Sequence, residues 1–214
     1  MPLRERQNKY HNTVINLRFI DICPMNPLIA HLKLLRHIST EDEQVIASHF
    51  ELKHFKEGDY LFKGDGRISR EMFFVCRGVI RIMSVNDKGV EVTHVFYNEN
   101  KFCSILQSFN DETPTPASIQ ACCDAEVLSI SKRRLLDLYN QLPWLKQVID
   151  NINQLHLIEK VNVRNTYLGL DAENQYKLFT MQQPDIATRV PLKDIAAYLG
   201  ITPQSLSRIR KNIS

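Results

Sequence analysis

No stretch of this sequence approaches the roughly 18 consecutive apolar residues of a membrane span, and its start, MPLRERQNKY, lacks the apolar core of a secretory signal. With 43% apolar and 24% charged residues, an ordinary soluble, cytoplasmic chain long enough for two modest domains is expected. Cysteine is sparse: Cys23, Cys76, Cys103, Cys122 and Cys123 make an odd set, expected as free thiols. The seven His are scattered without ligand spacing, so neither a metal nor an iron–sulfur cluster is expected, and no other cofactor. No phosphate-cradling glycine loop, zinc motif or nucleophile elbow is present, and no active site is read. The net charge is only +3, which excludes a generally adhesive basic protein.

What the chain does have is concentrated at its end, VPLKDIAAYLG-ITPQSLSRIRKNIS. Leu192, Ile195, Ala196 and Leu199 recur at i, i+3, i+4 and i+7, one apolar face of a helix. Gly200 stands where a left-handed cap costs least. Thr202 is a good N-cap, and Pro203 sits at the first helical position, where its missing N–H is no loss. Leu206 and Ile209 then point inward, leaving Gln204, Ser205, Ser207, Arg208 and Lys211 outward. The pattern is a helix-turn-helix with an exposed second helix of the residue types that read base edges and phosphates. Lys193, Arg208, Arg210 and Lys211 against Asp194 give this segment a local charge equal to that of the whole chain. The plainer reading of the same pattern is a helical hairpin with a solvated polar face.

AAYLGITPQSLSRIRK resembles the DNA-binding end of the Crp/Fnr family of bacterial transcription regulators. The resemblance implies an α+β chain: an N-terminal β-roll of the cyclic-nucleotide-binding type (a double-stranded β-helix), a long dimerisation helix and a C-terminal helix-turn-helix. The expected divisions are a basic extension over 1–24, the roll over 25–142, the dimerisation helix over 143–169 and the DNA-binding part over 170–214.

The chain in order agrees with that plan. Arg4, Arg6, Lys9 and Arg18 against Glu5 make the first residues basic; an extension ahead of Met25 is favoured over an arm that touches DNA backbone. Leu28, Leu32 and Leu35 predict a short amphipathic helix, and Thr40-Glu41-Asp42-Glu43 a capping box that opens a second. After Leu52 the period becomes two. Tyr60-Leu61-Phe62 reads as a strand, EMFFVCRGVIRIMSV as two strands broken at Gly78, and Asn86 to Gly89 as a hairpin turn before VEVTHVFY. Gly58, Gly64 and Gly78 stand where the resemblance places the turn glycines of the roll. Cys122 and Cys123, read as strand neighbours, should face opposite ways, while Cys76 and Cys103 read as core.

The pocket segment departs from the cyclic-AMP pattern, in which Phe-Gly-Glu holds the ribose and Arg-Ser-Ala the phosphate. Here the first motif is Phe102-Cys103-Ser104. Counting back from Leu128-Ser129-Ile130-Ser131, the second becomes Thr115, Pro116 and Ala117. The ribose carboxylate and the phosphate guanidinium are both gone, and Pro116 removes an amide donor. No basic residue lies between Lys101 and Lys132. A degenerate effector pocket that takes a neutral ligand, or none, is expected.

From Pro143, Leu145, Val148 or Ile149, Ile152 and Leu155 step by three and four, predicting a dimer seam through Leu145, Ile149, Ile152 and Leu155. Packing of the same helix on its own roll is the competing reading. A shorter helix is expected over 171–181, followed by a bridge from Ile186 to Pro191. Together these imply a homodimeric transcription regulator that binds double-stranded DNA through Thr202, Gln204, Ser205, Ser207, Arg208, Arg210 and Lys211, with RNA polymerase as a further partner that the resemblance allows. The alternative is a ligand-sensing roll whose C-terminal helices bind a protein.

Overall fold

The computed structural model describes residues 26–213, so the expectation for residues 1–24, Cys23 included, lies outside the described residues. Among the described residues two short helices come first, α1 (Asn26–Leu35) and α2 (Thr40–His49). Leu28 and Leu32 of α1 are buried, whereas Leu35 is exposed. The cap of α2 sits one residue earlier than expected: Ser39 accepts from the Asp42 amide, and Thr40 is already helical. Either hydroxyl can cap, and with Ser39 in that place the third helical residue is Asp42, whose amide it receives.

Eight strands follow: β1 (Glu51–Phe55), β2 (Tyr60–Phe62), β3 (Glu71–Arg77), β4 (Ile80–Val85), β5 (Glu91–Tyr97), β6 (Phe102–Cys103), β7 (Ser118–Ala121) and β8 (Ala125–Ser131). They form two antiparallel four-stranded sheets, ordered β1-β8-β3-β6 and β2-β7-β4-β5. Phe73, Val75, Ile80, Cys103, Ile119 and Val127 fill the space between them. Gly78, between β3 and β4, has φ +94°, and a Cβ there would stand 2.5 Å from the Asp124 carbonyl oxygen. Both conditions admit only glycine. Asp124 belongs to the tight bend at 122–124 between β7 and β8. Cys122 and Cys123 lie in that bend and not on a strand; Cys122 is buried, and the Cys123 sulfur accepts from the Val79 amide.

Helix α3 (Leu106–Asp111) interrupts the roll, and α4 (Lys132–Gln141) leaves it, capped by Ser131. The 24-residue α5 (Pro143–Thr166) begins at its proline. Its inward face, Leu145, Ile149 and Ile152, joins a core with Leu28, Ile46, Phe74, Leu128 and Leu138. At about 1.5–3 kcal/mol per buried aliphatic side chain, this packing ties α5 to its own roll. That corrects the expected seam, because three of its four residues are covered within the chain. Leu155 alone is exposed, and the apolar residues beside it are Leu157, Ile158 and Val161.

The chain ends in α6 (Ala172–Gln182), α7 (Pro184–Arg189), α8 (Leu192–Leu199) and α9 (Pro203–Ile213). The bridge read between α6 and the support helix thus holds a helix of its own. These four helices share a core, Tyr176, Phe179, Ile186, Ile195, Ala196 and Leu206, with Val79, Phe96 and Cys122 of the roll. The C-terminal helices therefore rest on the outside of the β2-β7-β4-β5 sheet.

Candidate functional site

The turn between α8 and α9 is built as its residues dictate. Gly200 closes α8 at φ +69°, and the Thr202 hydroxyl accepts from the Ser205 amide at 3.1 Å, capping α9. Leu206 is fully buried against α6 and α8, and Ile209 is half-buried beside it. This inward stripe fixes the rotation of α9. Thr202, Gln204, Ser205, Arg208 and Lys211 are then exposed, Arg210 is exposed nearer the inward face, and Ser207 is half-buried and closer to the core than its pattern indicated. No acidic residue lies in the first turn of α9, and its basic residues cluster toward the end.

Asp194, in the first turn of α8, is not a surface charge. It is 4% exposed, and its Oδ1 lies 2.9 Å from Nη1 of Arg81 on β4, itself 1% exposed. Arg81 also donates to Gln120 and Thr93 and meets Glu91 at 2.7 Å. Burial pushes the Asp194 carboxyl up, against the pull of Arg81 and Lys193. A second tie lies nearby: Arg189 of α7 grips Glu99 with both terminal nitrogens, at 2.6 and 2.9 Å. Burial acts to raise the Glu99 carboxyl, but hydrogen bonds from Arg189, its own amide and the Gly78 amide hold it below the ordinary range. Sequence reasoning missed both ties, since charge type alone does not distinguish an internal pair from a solvated one.

The residues expected to line the degenerate pocket divide: Phe102 and Ser104 border a cleft that the other four do not line. A cavity of about 430 Å³ opens between β5, α5 and the α6–α7 junction, and of the six only Phe102 and Ser104 line it. Cys103 points into the roll interior, where burial pushes its thiol up. Thr115 is buried and paired with Arg67, Pro116 is exposed, and Ala117 is half-buried over Gly64. The Ala117 amide of that loop donates to the Thr115 hydroxyl, and the Ser118 hydroxyl oxygen accepts from the Gly64 amide. The Cys76 thiol is pushed up to about 12 by burial, which leaves it unreactive. Among the described residues, no group of three or more His, Cys, Asp or Glu is arranged to hold a metal. None of the described helices is long and apolar enough to cross a membrane.

Residues 52–142 match the cyclic nucleotide-binding domain family. The whole arrangement of roll, long helix and helix-turn-helix recurs in solved structures. The fold is that of the Crp/Fnr regulators. A Crp/Fnr-family regulator from Eubacterium rectale superposes with a TM-score of 0.65 at 14% identity, over 86% of this chain and 87% of that one. FixK2 from Bradyrhizobium japonicum gives 0.64 at 13% identity, over 77% and 84%. The c-di-GMP responsive global regulator CLP of Xanthomonas campestris gives 0.63 at 13% identity, over 82% and 91%. No curated protein matches the sequence. At these identities the Crp/Fnr likeness concerns the fold, and the residues of this chain must carry the functional argument.

Proposed function

We propose that this protein is a DNA-binding transcription regulator whose α9 enters the major groove. One observation carries the reading: burial of Leu206 turns a continuous polar face of Thr202, Gln204, Ser205, Arg208 and Lys211 outward, with no acidic residue in the first turn to repel phosphate. Gln and Arg on such a face can pair bidentately with adenine and guanine, while Lys211 and Arg210 suit phosphates. The long helix and the helix-turn-helix then divide the work as 143–169 and 170–214, with the roll over 25–142 as sensor.

A dimer is part of this reading, since two recognition helices about 34 Å apart meet successive major grooves. The face assigned to it is the outward one of α5, through Leu155, Ile158 and Val161 with Leu157 alongside, in place of the seam that its own roll covers. The effector is not a cyclic nucleotide: neither a ribose carboxylate at Ser104 nor a phosphate guanidinium at Thr115 is present, and the Ala117 amide is taken up by the Thr115 hydroxyl. Selection of bound duplexes from a random pool tests the function. A recurrent near-palindromic site supports it, and equal, salt-sensitive affinity for every duplex contradicts it, favouring a protein partner for α9 instead.

A further inference from the structure

The cavity between roll, α5 and the C-terminal helices has a charge that the 102–131 segment does not supply. Lys101 reaches it from the turn before β6, Lys160 and His156 from α5, and His94 from β5. Among the described residues neither lysine has a carboxylate within salt-bridge distance, although carboxylates occupy most other buried or half-buried cations of the chain. His156 presents a buried Nδ1 that has no hydrogen-bond partner among those residues. Each histidine feels one of the lysines. Burial, then Lys160 and Arg164, lowers the His94 pKa; burial, then Lys101, lowers that of His156. Lys160 is lowered by burial and by Arg164. Two acidic side chains border the same space: Asp185 is engaged by Arg189 and Asn98, and Glu159, exposed on α5, acts to raise His156 against burial and Lys101. The same lining includes apolar and aromatic side chains, Phe102, Ile105, Leu157, Val163 and Tyr198.

Two half-buried lysines without a carboxylate in contact raise the free energy of the empty cavity, and an anion relieves that cost. The volume falls within the range of small-ligand sites. We propose that this cleft binds a small organic anion: a carboxylate or phosphate head held by Lys101, Lys160 and His156, with an apolar body against the apolar and aromatic side chains of the lining. This replaces the neutral ligand expected from the 102–131 segment, because the cations come from outside it. It rests on the regulator reading for its meaning. Tyr198 belongs to the support helix, so a ligand here touches the sensor, the long helix and the reader together. Occupancy then favours the docked arrangement of α8 on the roll.

The test is calorimetric titration of the full chain with naphthylacetate, naphthyl phosphate and the uncharged naphthylacetamide. The expected result is one saturable site per chain for at least one of the two anions, with the amide about tenfold weaker or silent. Binding of only one anion identifies the head group and supports the proposal. Lys160→Met and Lys101→Met should each weaken the anion about tenfold, since each removes one charge-assisted hydrogen bond, while Lys160→Arg retains it. Equal binding of the amide, unchanged binding by both Met variants, or no binding of either anion would each overturn the inference. Duplex selection on the same preparation separates the two claims: specific DNA recognition without anion binding rejects only the cleft, and anion binding without DNA specificity rejects only the regulator.

Discussion

Arg81 and Asp194 meet at 2.9 Å across the junction of the roll and the helix-turn-helix, and both are almost wholly buried. The contact is close but not aligned as a hydrogen bond at Oδ1, so its strength is chiefly charge on charge. Such a pair adds little over an apolar filling, yet losing one member strands the other. Asp194→Ala should therefore cost about 3 kcal/mol, the low end for a broken buried pair, because Glu91, Thr93 and Gln120 still hold the guanidinium. Urea unfolding measures it; a change under about 0.5 kcal/mol would place the pair outside the energetics of the fold.

Glu99 and Arg189 give the same junction a pH dependence. The Glu99 carboxyl lies below its ordinary value near 4.5 in the folded chain. A depressed folded pKa means that the unfolded chain takes up the proton first. The charge therefore stabilises the fold above the ordinary value, and its contribution disappears as pH falls through the lowered one. Stability should drop as pH falls below the ordinary carboxylate value, and Glu99→Gln should be less stable near neutrality with a shallower acid decline. An identical acid slope in the variant would remove Glu99 from the linkage.

The two faces of α5 separate cleanly by substitution. Ile152→Glu places a charge in the core shared with Phe74 and Leu138 and should unfold or strongly destabilise the chain, by several kcal/mol. Leu155→Glu with Ile158→Glu leaves each chain folded but puts like charges at the proposed dimer face. Circular dichroism and sedimentation together distinguish the outcomes: a folded monomer from the double variant is expected, and a folded dimer would move the interface elsewhere.

The helix-turn-helix was readable because its signals are local: Gly200, Thr202 and Pro203 mark one turn within four residues, and the 3.6 period marks both helices. The roll was readable from strand alternation and from turns such as Asn86 to Gly89. Which face of α5 meets what was not. A three-and-four step identifies an apolar face, but Leu145 and Ile149 carry no mark telling whether a partner or the chain's own α1 and β3 will cover them. Asp194 failed for a related reason, since Arg81 lies on a distant strand. The six residues of α7 are too few to show a period, and Cys122–Cys123 read as strand because a bend has no apolar signature. The cleft escaped notice because Lys101, His156 and Lys160 are gathered from separate elements.

Cyclic AMP and cyclic GMP should not bind at tens of micromolar. The missing interactions are charge-assisted hydrogen bonds worth about 1.5–3 kcal/mol each, and two or three of them carry a micromolar ligand into the millimolar range. The loop that would meet the phosphate is instead closed by the Thr115 and Ser118 hydroxyls. Calorimetry with each nucleotide checks this, and saturable binding of either would show the pocket to be competent after all.

The central claim is that α9 reads sequence, and duplex selection with the native chain and with Arg208→Ala tests it most directly. The native chain should recover a near-palindromic site, and Arg208→Ala should lose about 1–3 kcal/mol per half-site together with the preference for guanine at one position. Recovery of no common site by the native chain, or the same site at the same affinity from Arg208→Ala, would contradict it.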